Sequence, residues 1–265
     1  MGLNAEGEYG GPMSGGPTLA GQGATDYERY LNVATLLSAK KPKDKLAHRD
    51  EHLFQVVHQA AELWFEQIRF DIEETDRLIA NGNASDATRL VRRMVEVVRL
   101  LTESVNILTT MNVWDYHDIR LALGKGSGQE SPGFNGILRE APKLERTYLD
   151  LLQARGVTLY DVCTGRGAHA ELLALGDALV DFDMRFHLWR QNHLAFVKRM
   201  IGPGQRSLKG YGVDALEKHI LGQFFYLELL AVRDEMTLKA GTSPPGKPPE
   251  ATRTQPHPDT LPNRK

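Results

Sequence analysis

The chain has 265 residues, of which 41% are hydrophobic and 25% charged, and its formal net charge is −2. This size and composition predict one soluble globular domain, and the near-neutral charge gives no electrostatic reason to expect a nucleic acid or an acidic membrane as a partner. The single cysteine, Cys163, excludes a disulfide framework or a Cys-rich metal site within one chain. No stretch approaches the ~18 apolar residues of a membrane span, and we expect a cytoplasmic protein.

Both ends of the chain lack the residues that a core needs. Residues 1–25 are rich in glycine, and residues 241–265 hold seven of the 13 prolines. Such segments bury too little apolar surface to fold, so we expect both to be disordered. Between them, residues 26–240 form the predicted single domain.

The middle of the chain shows helical periodicity and no alternating strand pattern of useful length. Gly82 is predicted to end one long helix and Ser85 to cap the next. Residues 124–133, "GKGSGQESPG", are predicted to be a flexible loop whose glycine amides are placed to meet an anion. The sequence therefore predicts an all-α bundle of long helices. The predicted helices, in chain order, cover residues 27–39, 51–80, 85–110, 115–123, 142–155, 168–201 and 213–239.

A histidine interrupts the apolar seam of the predicted helix 168–201. An imidazole in such a seam leaves water and therefore needs a partner. That partner is either a backbone carbonyl, as in an ordinary core, or a metal or haem iron enclosed by the bundle. The seam residues, at alternating steps of three and four, are Leu179, Phe182, Phe186, Trp189, His193, Phe196 and Met200.

The predicted helix 51–80 repeats this pattern with a second histidine, His58. Two imidazoles in two separate apolar seams favour a shared enclosed site over two independent core histidines. The residues that share the face of His58 are Phe54, Ala61, Phe65, Ile68 and Ile72.

Arg120 lies one turn after Tyr116 and just before the Gly/Ser-rich loop. One interpretation is a solvated helix face with the stem of the arginine packed along it. The other is a carboxylate-binding site, because a guanidinium fork and free backbone amides together suit a carboxylate.

The segment "HRDEH", residues 48–52, matches the His-x-x-Glu-His pattern of inverted zinc proteases. No feature of the sequence identifies the third ligand that such a site needs. The segment lies at the charged start of a predicted helix, which favours a solvated first turn.

Four ordered blocks carry a resemblance to a known family, and they are "DYERYLNVATLLSA", "HRDEHLFQVVHQAAELWFEQ", "YHDIRLALGKGSG" and "FHLWRQNHLAFVKRMIG". With these blocks, residues 26–235 resemble the tryptophan 2,3-dioxygenase superfamily, the haem-dependent oxygenases of the indole ring. Four blocks in the family's order are far more specific than any single motif. The protease pattern falls inside the second block, so the resemblance removes that interpretation.

The resemblance implies a role for each singled-out residue, within a bundle that encloses haem b. His193 corresponds to the axial ligand of the haem iron. His58 corresponds to the catalytic histidine that hydrogen-bonds the indole N–H, and Phe54 to the aromatic residue that packs against the substrate ring. Arg120 corresponds to the arginine that clamps the carboxylate of the amino acid, with Tyr116 beside it.

Further substrate-binding residues follow from the same blocks. Ser127 and Gly128 lie in the loop after Arg120, and Ser207 stands where the family has a threonine near the substrate ammonium. The resemblance also implies a homotetramer in which the N-terminal helix completes the site of a neighbouring subunit. The residues that would reach into that neighbouring site are Tyr27, Tyr30 and Leu31.

The chain departs from the family's pattern in the parts that cover the substrate. Gln129 stands where the family has a phenylalanine, residues 203–212 replace a glycine-rich lid, and a segment near 134–142 is shorter. The resemblance implies an oxygenase that uses O2 to convert L-tryptophan, or a substituted tryptophan, to an N-formylkynurenine-type product.

Two alternatives remain open. The departures leave room for monooxygenation of a tryptophan derivative to an oxindole or a hydroxyindole in natural-product biosynthesis. A non-catalytic haem-binding or indole-binding protein is the alternative of another class. The joint presence of His58, Tyr116 and Arg120 argues against it, because a haem carrier needs only His193.

Overall fold

A computed structural model describes residues 16–208, 210, 212–213, 217 and 224–241. Over these ranges the fold is all-α, as predicted, and the only β-type pairing is an isolated bridge between Arg206 and Gly212. None of the helices described is long and apolar enough to cross a bilayer. The helices are α1 (Asp26–Tyr30), α2 (Val33–Ser38), α3 (Glu51–Ala80), α4 (Ala84–Leu108), α5 (Asp115–Ala122), α6 (Pro132–Glu140), α7 (Lys143–Ala154), α8 (Leu159–Thr164), α9 (Ala170–Ile201) and α10 (Leu227–Lys239), with 3₁₀ turns at Lys43–Lys45 and Gly128–Glu130.

Three long helices, α3, α4 and α9, form the centre of the bundle. α3 and α4 are joined by a tight turn in which Gly82 adopts φ +76°, so the prediction that this glycine ends α3 is confirmed. The seam predicted for α9 is buried except at His193, which is half-buried. The largest fully buried side chains of the three helices include Ile68, Ile79, Met94, Leu101, Leu108, Phe182 and Phe186.

Two features of the predicted helices are wrong for local reasons. The N-cap of α4 is Asn83 and not Ser85, because the Asn83 side chain accepts a hydrogen bond from the amide of Asp86 at 3.2 Å. The predicted helix 27–39 is broken in two at Asn32, whose φ of +52° lies in the left-handed region.

The predicted helix 213–239 is interrupted before Leu227, where α10 begins. The buried Asp183 carboxylate of α9 accepts hydrogen bonds from the amides of Phe225 and Tyr226 at 2.7 and 3.0 Å. These two residues are therefore held outside a helix. Residues 214–216 and 218–223 of the prediction lie outside the described ranges, as do residues 1–15 and 242–265 of the two predicted disordered ends.

α6 was not predicted, and it packs against α3 through two glycines. A Cβ atom at Gly133 would lie 2.6 Å from the Cβ atom of Phe65, and one at Gly136 would lie 2.3 Å from the Nε atom of Arg69. The glycines that allow this close approach also lower helix propensity, which hides the helix from a sequence pattern. α8, begun by a capping box at Thr158, was missed as well.

The "HRDEH" segment has a structural role at the start of α3. Glu51 is buried, pairs with Lys41 at 2.8 Å and accepts a hydrogen bond from the amide of Ala47. In the described part of the chain no group of three or more His, Cys, Asp or Glu side chains is arranged to hold a metal ion. The segment therefore ties the N-terminal part of the chain to α3.

Candidate functional site

The structure brings the two predicted histidines together, His58 from α3 and His193 from α9. Both rings are half-buried, and they lie close enough for the His58 imidazole to influence the titration of His193. The α5 residues Tyr116 and Arg120 adjoin the His58 side of this site. The site therefore has one wall made by α9 and another made by α3 and α5.

His193 lies in aromatic surroundings with no hydrogen-bond partner among the described residues. The Trp189 ring lies nearly parallel to it, at 21° and 5.8 Å between ring centroids, and a Cβ atom at Gly128 would lie 4.0 Å from its Cε1 atom. Burial, and secondarily the His58 imidazole, lowers the pKa of His193 to about 4. The ring is therefore neutral at physiological pH, the form in which imidazole binds metals.

His58 is oriented by its own helix. Its Nδ1 lies 2.7 Å from the carbonyl oxygen of Phe54, and because a carbonyl only accepts, Nδ1 carries the proton. In the neutral ring, Nε2 is then a hydrogen-bond acceptor. Burial lowers the pKa of His58, opposed by the bond to Phe54 and by the charge of Glu62. The Phe54 ring contacts the imidazole at 4.0 Å between centroids, with the two ring planes tilted by 31°.

Arg120 is held by backbone rather than by an acidic side chain. Its Nη2 donates a hydrogen bond to the carbonyl oxygen of Arg206 at 2.7 Å, the only hydrogen bond recorded for this guanidinium in the described part of the chain. Burial raises the pKa of the Tyr116 phenol, and the nearby charge of Arg120 opposes that rise. Since a guanidinium carries five N–H donors, most of the fork remains available to an anion.

The segment that contacts Arg120 is a tight reverse turn and not an open lid. The amide of Val213 donates to the Gln205 carbonyl at 3.2 Å, and the amide of Gly210 donates to the Ser207 carbonyl at 2.8 Å. Ser207 is half-buried within this turn. The role of the Arg206 carbonyl was missed by sequence reasoning, and no sequence signal marks it, because any residue supplies a carbonyl.

Part of the predicted loop 124–133 forms regular structure, since it contains the 3₁₀ turn Gly128–Glu130 and the start of α6 at Pro132. Ser127 caps the 3₁₀ turn Gly128–Glu130, accepting from the amide of Gln129 while its own amide donates to the Glu130 carboxylate. Asn135 of α6 donates to the Gln129 carbonyl at 2.8 Å. These bonds fix the turn that holds Gly128 beside His193.

The residues predicted to serve a neighbouring subunit do not join the site within one chain. Tyr27 and Tyr30 of α1 and the following Leu31 have exposed fractions of 70%, 80% and 46%. Neither α1 nor α2 buries a single residue. The structure therefore leaves this N-terminal arm as an exposed apolar surface.

The sequence predicted Trp189 only as a residue of the apolar seam of α9. In the structure its indole N–H is buried without a hydrogen-bond acceptor in the described part of the chain. The side chain is 7% exposed, and its Nε1 is shielded from solvent without a hydrogen-bond partner in the described residues. Buried N–H groups are nearly always paired in native proteins. An unpaired one beside His193 marks this part of the wall as incomplete without a further group.

Comparison with known proteins agrees with the four blocks. Residues 13–139 match the family profile described as tryptophan 2,3-dioxygenase. The tryptophan 2,3-dioxygenase of Erythrobacter litoralis is 30% identical, over 78% of this chain and 97% of the relative. Those of Shewanella woodyi and Serratia proteamaculans are 26% and 27% identical, over 79% of this chain and 90% and 92% of the relatives. By these matches, the chain belongs to the tryptophan 2,3-dioxygenase family.

Proposed function

We propose that this protein is a haem-dependent oxygenase that uses O2 to oxidise the indole ring of L-tryptophan or of a substituted tryptophan. The observation that carries the proposal is the pairing of a neutral His193 that lacks a hydrogen-bond partner with an oriented His58 across one site. Relatives that match most of the chain bear the name tryptophan 2,3-dioxygenase, which supports the same reaction class.

The residues of the α9 wall fit a haem group. His193 is neutral, and its ring nitrogens have no hydrogen-bond partner among the described residues, so one of them would be available to the haem iron. The neighbouring side chains are aromatic, and the buried Nε1 of Trp189 still lacks an acceptor. When bound, haem supplies the redox chemistry that activates O2 toward the indole ring.

The α3–α5 wall supplies the groups that bind and orient the amino acid. Arg120 would clamp the substrate carboxylate through its uncommitted donors, beside Tyr116. The Nε2 atom of His58 would accept the indole N–H, and Phe54 would pack against the ring. Holding the indole ring in one orientation lowers the activation barrier of the oxygenation by roughly several kcal/mol. The reason is that the orientational entropy is lost when the substrate binds rather than in the transition state.

The remaining predicted residues complete the substrate pocket in this proposal. Ser127, Gly128 and Ser207 would contact the ammonium and carboxylate groups of the substrate. The exposed arm that includes Tyr27, Tyr30 and Leu31 would enter the site of a neighbouring subunit and complete a homotetramer. Its exposed apolar side chains support this role, because contiguous apolar surface favours association.

Two outcomes of oxygenation have support. Insertion of both oxygen atoms would cleave the indole C2–C3 bond and give an N-formylkynurenine-type product. Gln129 and the turn that contacts Arg120 depart from the family's usual cover of the substrate. They favour a second candidate, in which one oxygen atom enters a tryptophan derivative and the other leaves as water, with two electrons from an external reductant such as dithionite.

A single-turnover experiment tests both outcomes. The haem-loaded protein is reduced with dithionite without O2, given tryptophan and then exposed to air. A product heavier by two oxygen atoms with N-formylkynurenine absorbance is expected, whereas a gain of one oxygen atom would indicate the second candidate. Bound substrate without any product would identify a haem-binding or indole-binding protein and contradict the oxygenase.

A further inference from the structure

A buried polar atom without a partner lies one helical turn before His193. The Nε1 of Trp189 is shielded from solvent, and no acceptor contacts it in the described part of the chain. An indole N–H only donates, so it needs an acceptor oxygen or nitrogen. Leaving such a donor dry is unfavourable, and its presence requires an explanation.

The surroundings of Trp189 offer no acceptor on several sides. The Phe65 ring meets the indole edge-on at 5.4 Å between centroids, and the rings of Phe134 and Phe186 lie at 5.8 and 5.5 Å. On the fourth side is His193, stacked at 5.8 Å. None of these three hydrocarbon rings carries an acceptor, and through His193 the indole adjoins the candidate site.

The neighbouring residue Arg190 has its own interactions, which differ from those of Trp189. The Arg190 guanidinium carbon lies 5.6 Å from the Phe186 ring centroid and 5.8 Å from that of Phe225. Its charge interacts with the buried Asp183. Arg190 therefore interacts with Phe186, Phe225 and Asp183. Trp189, in contrast, adjoins His193.

We propose that Trp189 is a haem-binding residue whose indole N–H donates a hydrogen bond to a carboxylate of the haem. The inference rests on the proposed function, in which His193 ligates the haem iron. All the oxygen atoms of haem b belong to its two carboxylate groups, so these are the atoms that can accept a hydrogen bond from the indole N–H. A bond to a carboxylate is charge-assisted and stronger than one to a neutral acceptor.

The test compares haem with an analogue that lacks the charged acceptor. Full-length wild-type protein and Trp189→Phe are loaded with haem b or with its dimethyl ester, and haem loss to an excess of a haem-scavenging apoprotein is timed. Trp189→Phe should lose haem b roughly tenfold faster than the wild type, which corresponds to ~1.4 kcal/mol. With the dimethyl ester, the two proteins should differ by no more than about threefold.

A matched control variant distinguishes the loss of this hydrogen bond from the loss of side-chain packing. Trp64→Phe makes the same chemical change at a side chain that is 38% exposed, and it should alter neither rate. Equal acceleration for haem b and its ester would show lost packing and overturn the proposal, as would no acceleration. A wild-type protein that takes up no haem would instead overturn the proposed function, and the inference with it.

A second measurement keeps residue 189 intact, in case Trp189→Phe does not fold. The wild-type protein is labelled with ¹⁵N in its indole rings and loaded with zinc protoporphyrin or its dimethyl ester, both diamagnetic. Trp64→Phe and Trp114→Phe assign the three indole signals. The Trp189 proton should move downfield and exchange with water at least fivefold more slowly with zinc protoporphyrin than with the ester, and an identical signal would overturn the proposal.

Discussion

The two walls of the candidate site differ in how their polar atoms are treated. On the α9 wall, the His193 ring and the Trp189 N–H lie among aromatic rings and have no hydrogen-bond partner in the described residues. On the α3–α5 wall, His58 and Arg120 are each fixed by a backbone carbonyl. The unpaired atoms of the α9 wall fit the proposed role of that wall in binding haem, whereas the oriented atoms of the α3–α5 wall fit its proposed role in binding an exchangeable substrate.

This difference predicts that substitutions on the two walls fail in different ways. Changes on the α9 wall should reduce retention of the haem and alter its spectrum. Changes on the α3–α5 wall should weaken the binding or turnover of substrate while the haem spectrum stays the same. The comparison fails if the two classes of variant cannot be separated by these measurements.

Replacement of His193, the proposed ligand of the haem iron, should have the largest effect. His193→Ala removes the nitrogen proposed to hold the iron, so the purified variant should lose most of its bound haem and its Soret absorbance. His169→Ala, at the start of the same helix, should retain both. Full haem occupancy with an unchanged spectrum in His193→Ala would show that the ligand assignment is wrong.

Removal of Arg120, the proposed carboxylate clamp, should have the next largest effect, confined to the binding of substrate. Arg120→Ala leaves a desolvated carboxylate without its partner, which costs about 2–5 kcal/mol of binding free energy. Tryptophan affinity should fall accordingly, measured by titration of the haem spectrum. Arg120→Lys should recover only part of it, because an ammonium lacks the planar fork.

A ligand without a carboxylate provides the control for this clamp. Tryptamine carries the same indole and amine, so its affinity should be nearly indifferent to Arg120→Ala. Equal losses for tryptophan and tryptamine would contradict the clamp. Such a result would point instead to collapse of the turn that binds Arg120 through the Arg206 carbonyl.

The α9 wall and the centre of α3 were predictable because their signals are local. The bounds of α3, Glu51–Ala80, agree with the prediction, and the seam that holds His193 follows from steps of three and four residues. Helical periodicity survives in a sequence because each turn buries the next residue of one face. The positions of both histidines followed from this rule alone.

The parts of the chain around the site that include Arg206 and α6 were less predictable, because their contacts are long-range or involve the backbone. The Arg206 carbonyl lies 86 residues from Arg120 in the chain. α6 depends on Gly133 and Gly136, which are poor helix formers that only the approach to α3 explains. The fold class and the histidines thus follow from periodicity, whereas the cover depends on tertiary contacts.

A moderate effect should follow from loss of the oriented imidazole. His58→Ala removes the proposed acceptor of the indole N–H, and one such hydrogen bond contributes about 1–3 kcal/mol. Turnover should fall about tenfold to a hundredfold without loss of haem. 1-Methyltryptophan, which has no N–H to donate, should be a poor substrate for the wild type and should lose less on the substitution.

The result that would break the comparison is loss of haem from His58→Ala. His58 would then be an iron ligand or a support of the haem, and the roles of the two walls would have to be exchanged. His52→Ala, on the same helix outside the site, serves as the control for general damage to α3.

A smaller effect, confined to stability, concerns the attachment of α9 to the segment before α10. The Asp183 carboxyl is 1% exposed, and burial raises its pKa from 3.8 to about 6, opposed by the amides of Tyr226 and Phe225 and by Arg190. The folded protein therefore binds this proton more tightly than the unfolded chain. The resulting contribution to the free energy of unfolding is fully present below about pH 3.8 and is lost as the pH rises through about 6.

Urea unfolding of wild type and Asp183→Asn from pH 4 to pH 7 measures this contribution. Asparagine keeps an acceptor for both amides but does not titrate, so the difference between the two free energies of unfolding isolates Asp183. The wild type should lose at most about 3 kcal/mol relative to the variant across this range, since one pKa unit corresponds to ~1.4 kcal/mol. Asp181→Asn, at an exposed site two residues earlier, should follow the wild-type profile. A constant difference between wild type and Asp183→Asn would show that the Asp183 proton does not contribute to holding the α9 wall in place.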